Sequence, residues 1–176
     1  MSRREEVKAL HGFEAWGDHI DDDAGFDGPT PLFLTDHERL FDLHFLAREA
    51  LHPEGGSTRG YREYYAAEDR PDAGVMVIVR QLPSIKDAHE ALVDVLETSM
   101  ALRLLPAEER EVSVGHVAFV GHDPTVDAIH FVRGSTLVTI KNTGGEIIPV
   151  AEMAEEIDRQ LTTHLMNAHD EQLPAR

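Results

Sequence analysis

His116 and His130 flank a turn, GHDPT, inside the stretch VSVGHVAFVGHDPTVDAIHFVRGSTLVTIKN (112–142). If the arms of that turn pair symmetrically about Asp123, the two histidines face each other on adjacent strands. Their β-carbons would then lie about 4.5–5.5 Å apart. Neutral imidazoles at that spacing can share a metal ion, and protonated ones can bind an anion or a carboxylate. Thr139 and Lys141, on the third arm, would share the face and favour a polar or anionic ligand. Ala118 and Ala128 would form a shallow floor between them. The candidate ligand-binding set is therefore His116, Ala118, Ala128, His130, Thr139 and Lys141, and the candidate metal ligands are His116 and His130. A metal site needs a third ligand, and no sequence neighbour clearly supplies one. A histidine here would suit acid–base work, but no bond or substrate is indicated, so no catalytic residue is assigned. Solvent-facing or helix-covered histidines are the competing reading.

The elements that must position these residues are legible from their turns. Asp123-Pro124 initiates a turn, and Gly134-Ser135 is a two-residue loop suited to a tight hairpin. Together they predict a three-stranded antiparallel meander. Its second hairpin sets Ile129 opposite Ile140, Phe131 opposite Val138 and His130 opposite Thr139. Its first, if symmetric, sets Val120 opposite Val126, Ala118 opposite Ala128 and His116 opposite His130. One face then carries Val117, Phe119, Ile129, Phe131, Val138 and Ile140 and reads as core. A one-residue slip would exchange the faces.

Before the meander, Tyr61 to Ala67 and Val75 to Leu82 read as strands joined by EDRPDAG. TDHERLFDLHFLAREAL (35–51) predicts a helix, with a Thr35–Glu38 capping box and an apolar stripe of Leu40, Leu43, Ala47, Ala50 and Leu51. A second helix starts at the N-cap Ser84 and is broken by Pro106. The third, PVAEMAEEIDRQLTTHL, carries Val150, Met153, Ala154, Ile157, Leu161 and Leu165 inward, with Glu152, Glu155, Glu156, Asp158 and Arg159 outside. Residues 1–34 read as an irregular acidic arm, with a short helix over Arg3 to Leu10 and Phe13, Trp16, Ile20 and Phe26 laid against the domain. Residues 35–166 form a single domain and 167–176 a flexible tail. The expected fold class is α+β, a mostly antiparallel sheet of about five strands packed by two or three helices.

Composition narrows the function classes. A chain of 176 residues is long enough to bury a core, and without cysteine it has no disulfide or thiolate chemistry. The formal charge of -17 is spread along the chain, with no basic patch, which argues against nucleic acid and anionic membranes as partners. No apolar run reaches the length of a membrane span, and MSRREEVKAL lacks the apolar segment of a secretory signal, so the cytoplasm is the default compartment. Lysines are limited to Lys8, Lys86 and Lys141, as suits a prokaryotic chain from a high-GC genome or a salty cytoplasm. No Walker loop, GxGxxG, GxSxG or HExxH occurs. Asp21, Asp23 and Asp27 fail as a calcium loop. Counting from Asp21 puts Phe26 where the glycine belongs, and counting from Asp23 puts Leu34 where the closing Glu belongs.

The order strand, helix, meander, helix over 75–165 is carried by VMVIVRQLPSIKDAHEALVDVL, AIHFVRGSTLVTIKN and AEMAEEIDRQL. It resembles α+β ligand-binding domains of bacterial secreted sensors and lipoproteins. The resemblance implies a curved antiparallel sheet, covered by helices, that cups a small apolar or amphipathic ligand. It transfers no site residue. The expected function is a non-enzymatic binding or accessory domain, with a small, anionic or amphipathic ligand on one sheet face and no cofactor indicated. Two alternatives stand beside it: an acidic inhibitor- or immunity-type factor that meets a basic protein, and a His-dependent metalloprotein or hydrolase.

Overall fold

The computed structural model describes residues 1–22, 24–28, 30–35, 38–51, 59–99, 104–121 and 125–172. The fold is α+β. Its strands are β1 (Arg39–Leu40), β2 (Leu43–Ala50), β3 (Arg59–Ala66), β4 (Gly74–Gln81), β5 (Leu105–Pro106), β6 (Val117–Val120), β7 (Ala128–Arg133) and β8 (Thr136–Asn142). They form one open sheet in the order β1-β2-β3-β4-β8-β7-β6-β5, with every neighbouring pair antiparallel. Eight strands replace the expected five or so. The helices are α1 (Arg3–Leu10), α2 (Ile85–Thr98) and α3 (Ala151–Gln172), with 3-10 turns at Phe13–His19 and Ala107–Arg110. Among the described residues no helix is long and apolar enough to cross a membrane. The His122–Pro124 part of the turn read from the sequence, and residues 173–176, lie outside the described residues.

The largest correction concerns residues 43–50. LHFLAREA consists of good helix formers, yet it pairs along β3, from His44 opposite Ala66 to Ala50 opposite Tyr61, with a bulge between Phe45 and Ala47. Intrinsic helix preference amounts to tenths of a kcal/mol per residue, and a cross-strand partner outweighs it. That partner is β3, whose alternation buries Tyr61, Glu63 and Tyr65.

The sheet consists of two meanders, β1–β4 and β5–β8, joined along a central seam where β4 pairs with β8 from Val75–Asn142 to Gln81–Thr136. One face packs on α3. There Val75, Val77, Val79, Ile129, Phe131, Val138 and Ile140 meet Val150, Met153, Ala154, Ile157, Leu161 and Leu165. All six residues of the expected α3 stripe are buried. Asp158, expected outside, is buried as well. It accepts a two-point contact from Arg133 (2.9 and 2.6 Å) and a bond from the Gly115 amide (3.0 Å), tying α3 to the sheet. α3 also runs past residue 166 to Gln172, into what the sequence suggested was tail.

The opposite face packs on α2 and the N-terminal arm. Leu82, Val117, Phe119, Val132 and Leu137 meet Ala88, Leu92 and Leu96, with Trp16 closing the cluster. The arm is therefore ordered as α1 and a 3-10 turn, and α1 is clamped by Arg4 to Glu90 and Asp94 and by Lys8 to Glu90. Ser84 caps α2 as expected, its hydroxyl accepting from the Asp87 amide at 3.1 Å.

The second hairpin of the meander has the expected register, Ile129 opposite Ile140 and His130 opposite Thr139. Gly134 holds φ +56° in its turn. The first hairpin does not. Val120 pairs with Ile129, Phe119 with His130 and Ala118 with Phe131, a slip of three residues from the symmetric reading. Gly121 explains where the strands close. Its amide bonds the Ala128 carbonyl at 2.8 Å, and a β-carbon there would fall 2.6 Å from an Asp127 side-chain oxygen and 3.2 Å from the Ala128 Cβ. Because the slip is odd, β6 turns over relative to β7. Phe119 joins the His130 face and Ala118 the Phe131 face.

Candidate functional site

On the α2 side of the sheet, residues directly opposed across strands form three parallel rows. Arg62, Ile78, Thr139, His130 and Phe119 make the middle row. Gly60, Arg80, Leu137, Val132 and Val117 lie on one side of it, and Tyr64, Met76, Lys141 and Ala128 on the other. α2 covers Leu137, Val132, Val117 and Phe119 and ends at Thr98, so part of the face lies beyond its last turn, uncovered by the described residues. There a groove of about 390 Å³ is lined by Ile78, Arg80, His130, Thr139 and Lys141 from the sheet and by Val95, Thr98 and Ser99 from the end of α2. That volume is at the lower end of the usual range for small-molecule sites.

Four of the six sequence candidates share this face. Ala128, His130, Thr139 and Lys141 are brought together, and the last three line the groove. Ala118 is not with them, since the register of β6 directs it to the α3 face beside Phe131. Nor does His116 face His130. It precedes β6 and its ring lies against α2, Nε2 to Nε2 with His89 at 2.7 Å. The cross-strand geometry behind a shared His116–His130 metal site is thus not the one formed. Among the described residues no three His, Asp or Glu side chains are grouped to hold a metal ion.

The chemistry of each histidine follows from its surroundings. His130 Nδ1 is 2.9 Å from the Thr139 hydroxyl. Burial, with Lys141 nearby, pushes its pKa down to about 4, so the ring is neutral at physiological pH. Burial, with His89, Arg133 and His19 adding, pushes His116 down to about 3, and burial lowers His89 too. In a neutral pair one ring must donate and the other accept. The His116 Nδ1 is buried without a partner among the described residues. A tautomer with His116 donating from Nε2 leaves that Nδ1 as a bare acceptor, a smaller penalty than an unpaired N–H. Trp16 and Phe13 stack edge-on against His89, so the pair belongs to the arm–helix packing.

Five of the eight groove residues escaped sequence reasoning: Ile78, Arg80, Val95, Thr98 and Ser99. Arg80 shares the alternation of Met76 and Ile78 in VMVIVRQL, which placed it on a definite face. The signal missing was that β4 borders β8, a pairing no local turn announces. Arg80 and Lys141 are the two cations that line the groove. In a chain of formal charge -17, neither has a carboxylate within ion-pair distance among the described residues. Arg62, in the same region, lies 3.3 Å from Glu49.

A second polar cluster lies on the α3 face. Glu63, 0 % exposed, accepts from Arg48 Nε (2.7 Å), the Tyr65 hydroxyl (2.9 Å) and the Thr35 hydroxyl. Arg48 also bonds the Thr35 carbonyl (3.1 Å) and lies over the Tyr61 ring, while the Thr35 amide donates to the Tyr61 hydroxyl (3.1 Å). Burial drives Tyr65 well above the ordinary phenol range and Tyr61 up to about 12, so both stay protonated, Tyr65 as donor to Glu63 and Tyr61 as acceptor from the Thr35 amide. Every oxygen of Glu63 is engaged by the fold itself, and the cluster pins the segment before β1 to β2 and β3. Compared with known proteins, the chain matches no family model, no curated protein and no solved structure.

Proposed function

We propose that this protein is a binding module that takes a small amphipathic anion in the groove between the end of α2 and the β4–β8–β7 face. The observation that carries the reading is the pairing of two cations free of carboxylate partners among the described residues, Arg80 and Lys141, with an apolar floor and wall, Ile78 and Val95. On α1, by contrast, Arg4 and Lys8 are both held by carboxylates of α2. Part of their role is intrinsic to the fold. The last turn of α2 carries no basic residue of its own, and cations beside it balance its carbonyl end. Binding is favoured over catalysis because the one histidine in the groove, held neutral down to about pH 4, is poorly matched to proton transfer near neutrality.

Titration of the full chain with decanoate, followed by amide and methyl NMR shifts, tests the reading. Shifts should concentrate at Ile78, Val95, Thr139 and Lys141. Arg80→Glu and Lys141→Glu together should weaken binding by about tenfold or more, the worth of one charge-assisted contact. Each should change the unfolding free energy by less than about 1 kcal/mol, the scale of a helix-end charge contact. Signals in the groove that do not move at saturating decanoate would sink the proposal.

A further inference from the structure

Resting on the groove reading above, we infer that the preferred occupant is a dianion whose two negative groups stand at opposite ends of an apolar spacer, in its simplest form an α,ω-dicarboxylate. The two cations do not share an end of the groove. Lys141 stands opposite Met76 across the seam, and Arg80 lies four residues farther along β4 on the same face. At about 3.3 Å per residue their backbone positions are roughly 13 Å apart along the strands. Ile78 lies midway between them, with Thr139 directly opposite, and Val95 contributes apolar wall from α2. The order along the groove is therefore cation, apolar and hydroxyl middle, cation.

A ligand with one carboxylate can engage both cations only if each turns inward, which crowds two like charges over Ile78. A spacer-linked dianion leaves each cation at its own end and lays its methylenes on Ile78 and Val95. Arg62 does not complicate this count, since Glu49 already accompanies it. The middle suits a chain with few polar groups, because the Thr139 hydroxyl is already bonded to His130.

Calorimetric titration of the full-length chain at low salt, with octanedioate and decanedioate against octanoate and decanoate, tests the inference. At least one diacid should bind about tenfold tighter than the monoacid of the same length, the value of a second charge-assisted contact. Arg80→Gln and Lys141→Gln should each bring that diacid down to the monoacid level, and added salt should shrink the advantage. Equal affinity of diacids and monoacids would overturn the dianion inference while leaving the groove an anion site. A diacid advantage that survives both substitutions would also overturn it, and binding of none of the four would overturn the groove reading with it.

Discussion

Exchanging Arg48 for methionine is expected to lower the unfolding free energy by roughly 3–5 kcal/mol, the cost of leaving a buried charge without its counter-ion. The asymmetry of the pair sets which partner matters more. The Arg48 side chain is 37 % exposed, so it can turn to water when Glu63 is removed, whereas Glu63 at 0 % exposure has no such exit. Thr35 and Tyr65 still donate to the carboxylate in the variant, but they carry no charge. Urea unfolding at neutral pH measures the effect, and a change below about 1 kcal/mol would mean that the pair contributes no more than a surface contact. The double variant Arg48→Met with Glu63→Leu should recover much of the loss, since an apolar pair of similar volume replaces the buried ions.

Acidification should produce the second large effect, well above the pH at which carboxylates protonate. His116 and His130 ionise in the folded chain near 3 and 4, far below the ordinary value near 6.5. The unfolded chain therefore takes up protons first. Stability is full above about pH 7 and falls as the pH drops from about 6.5, through about 4 for His130 and about 3 for His116. At pH 5 each contributes a loss on the order of 2 kcal/mol, and His89 acts in the same direction. Urea midpoints at pH 7 and pH 5 should thus differ markedly in the wild-type chain. In the His116→Asn, His130→Asn double variant most of that difference should vanish, and a difference of the same size there would assign the acid sensitivity elsewhere.

How far the sequence announced these arrangements depends on the range of the interaction involved. The Gly134-Ser135 hairpin, the Ser84 cap and the α3 stripe are set by residues a few positions apart, and all three were legible. So was the shared face of His130, Thr139 and Lys141, which depends on that one tight turn. His116 and Ala118 were misplaced because a longer connection leaves register open, and Gly121 settled it through a close approach to Asp127 and Ala128 that no local pattern displays. The helical reading of residues 35–51 failed because LHFLAREA satisfies a helical stripe as well as it pairs with β3. A clue lay in β3 itself. In GYREYYA, Glu63 shares the alternation of Tyr61 and Tyr65, and a carboxylate at a core position calls for a buried cation. Arg48 answers that call only if residues 43–50 form a strand.

The seam between β4 and β8 also governs how the molecule forms and opens. Each meander can assemble from strands adjacent in the chain, but β4 meets β8 only after α2 and β5–β7 have been threaded between them. Closing that long loop gives the seam the largest loop-closure cost of any strand pairing in the sheet. Ile78 and Arg80 come from one meander, Thr139 and Lys141 from the other, so an occupant of the groove staples the two halves together. Amide hydrogens of β4 and β8 around Ile78 and Thr139 should then exchange more slowly in the bound protein, in proportion to the binding free energy.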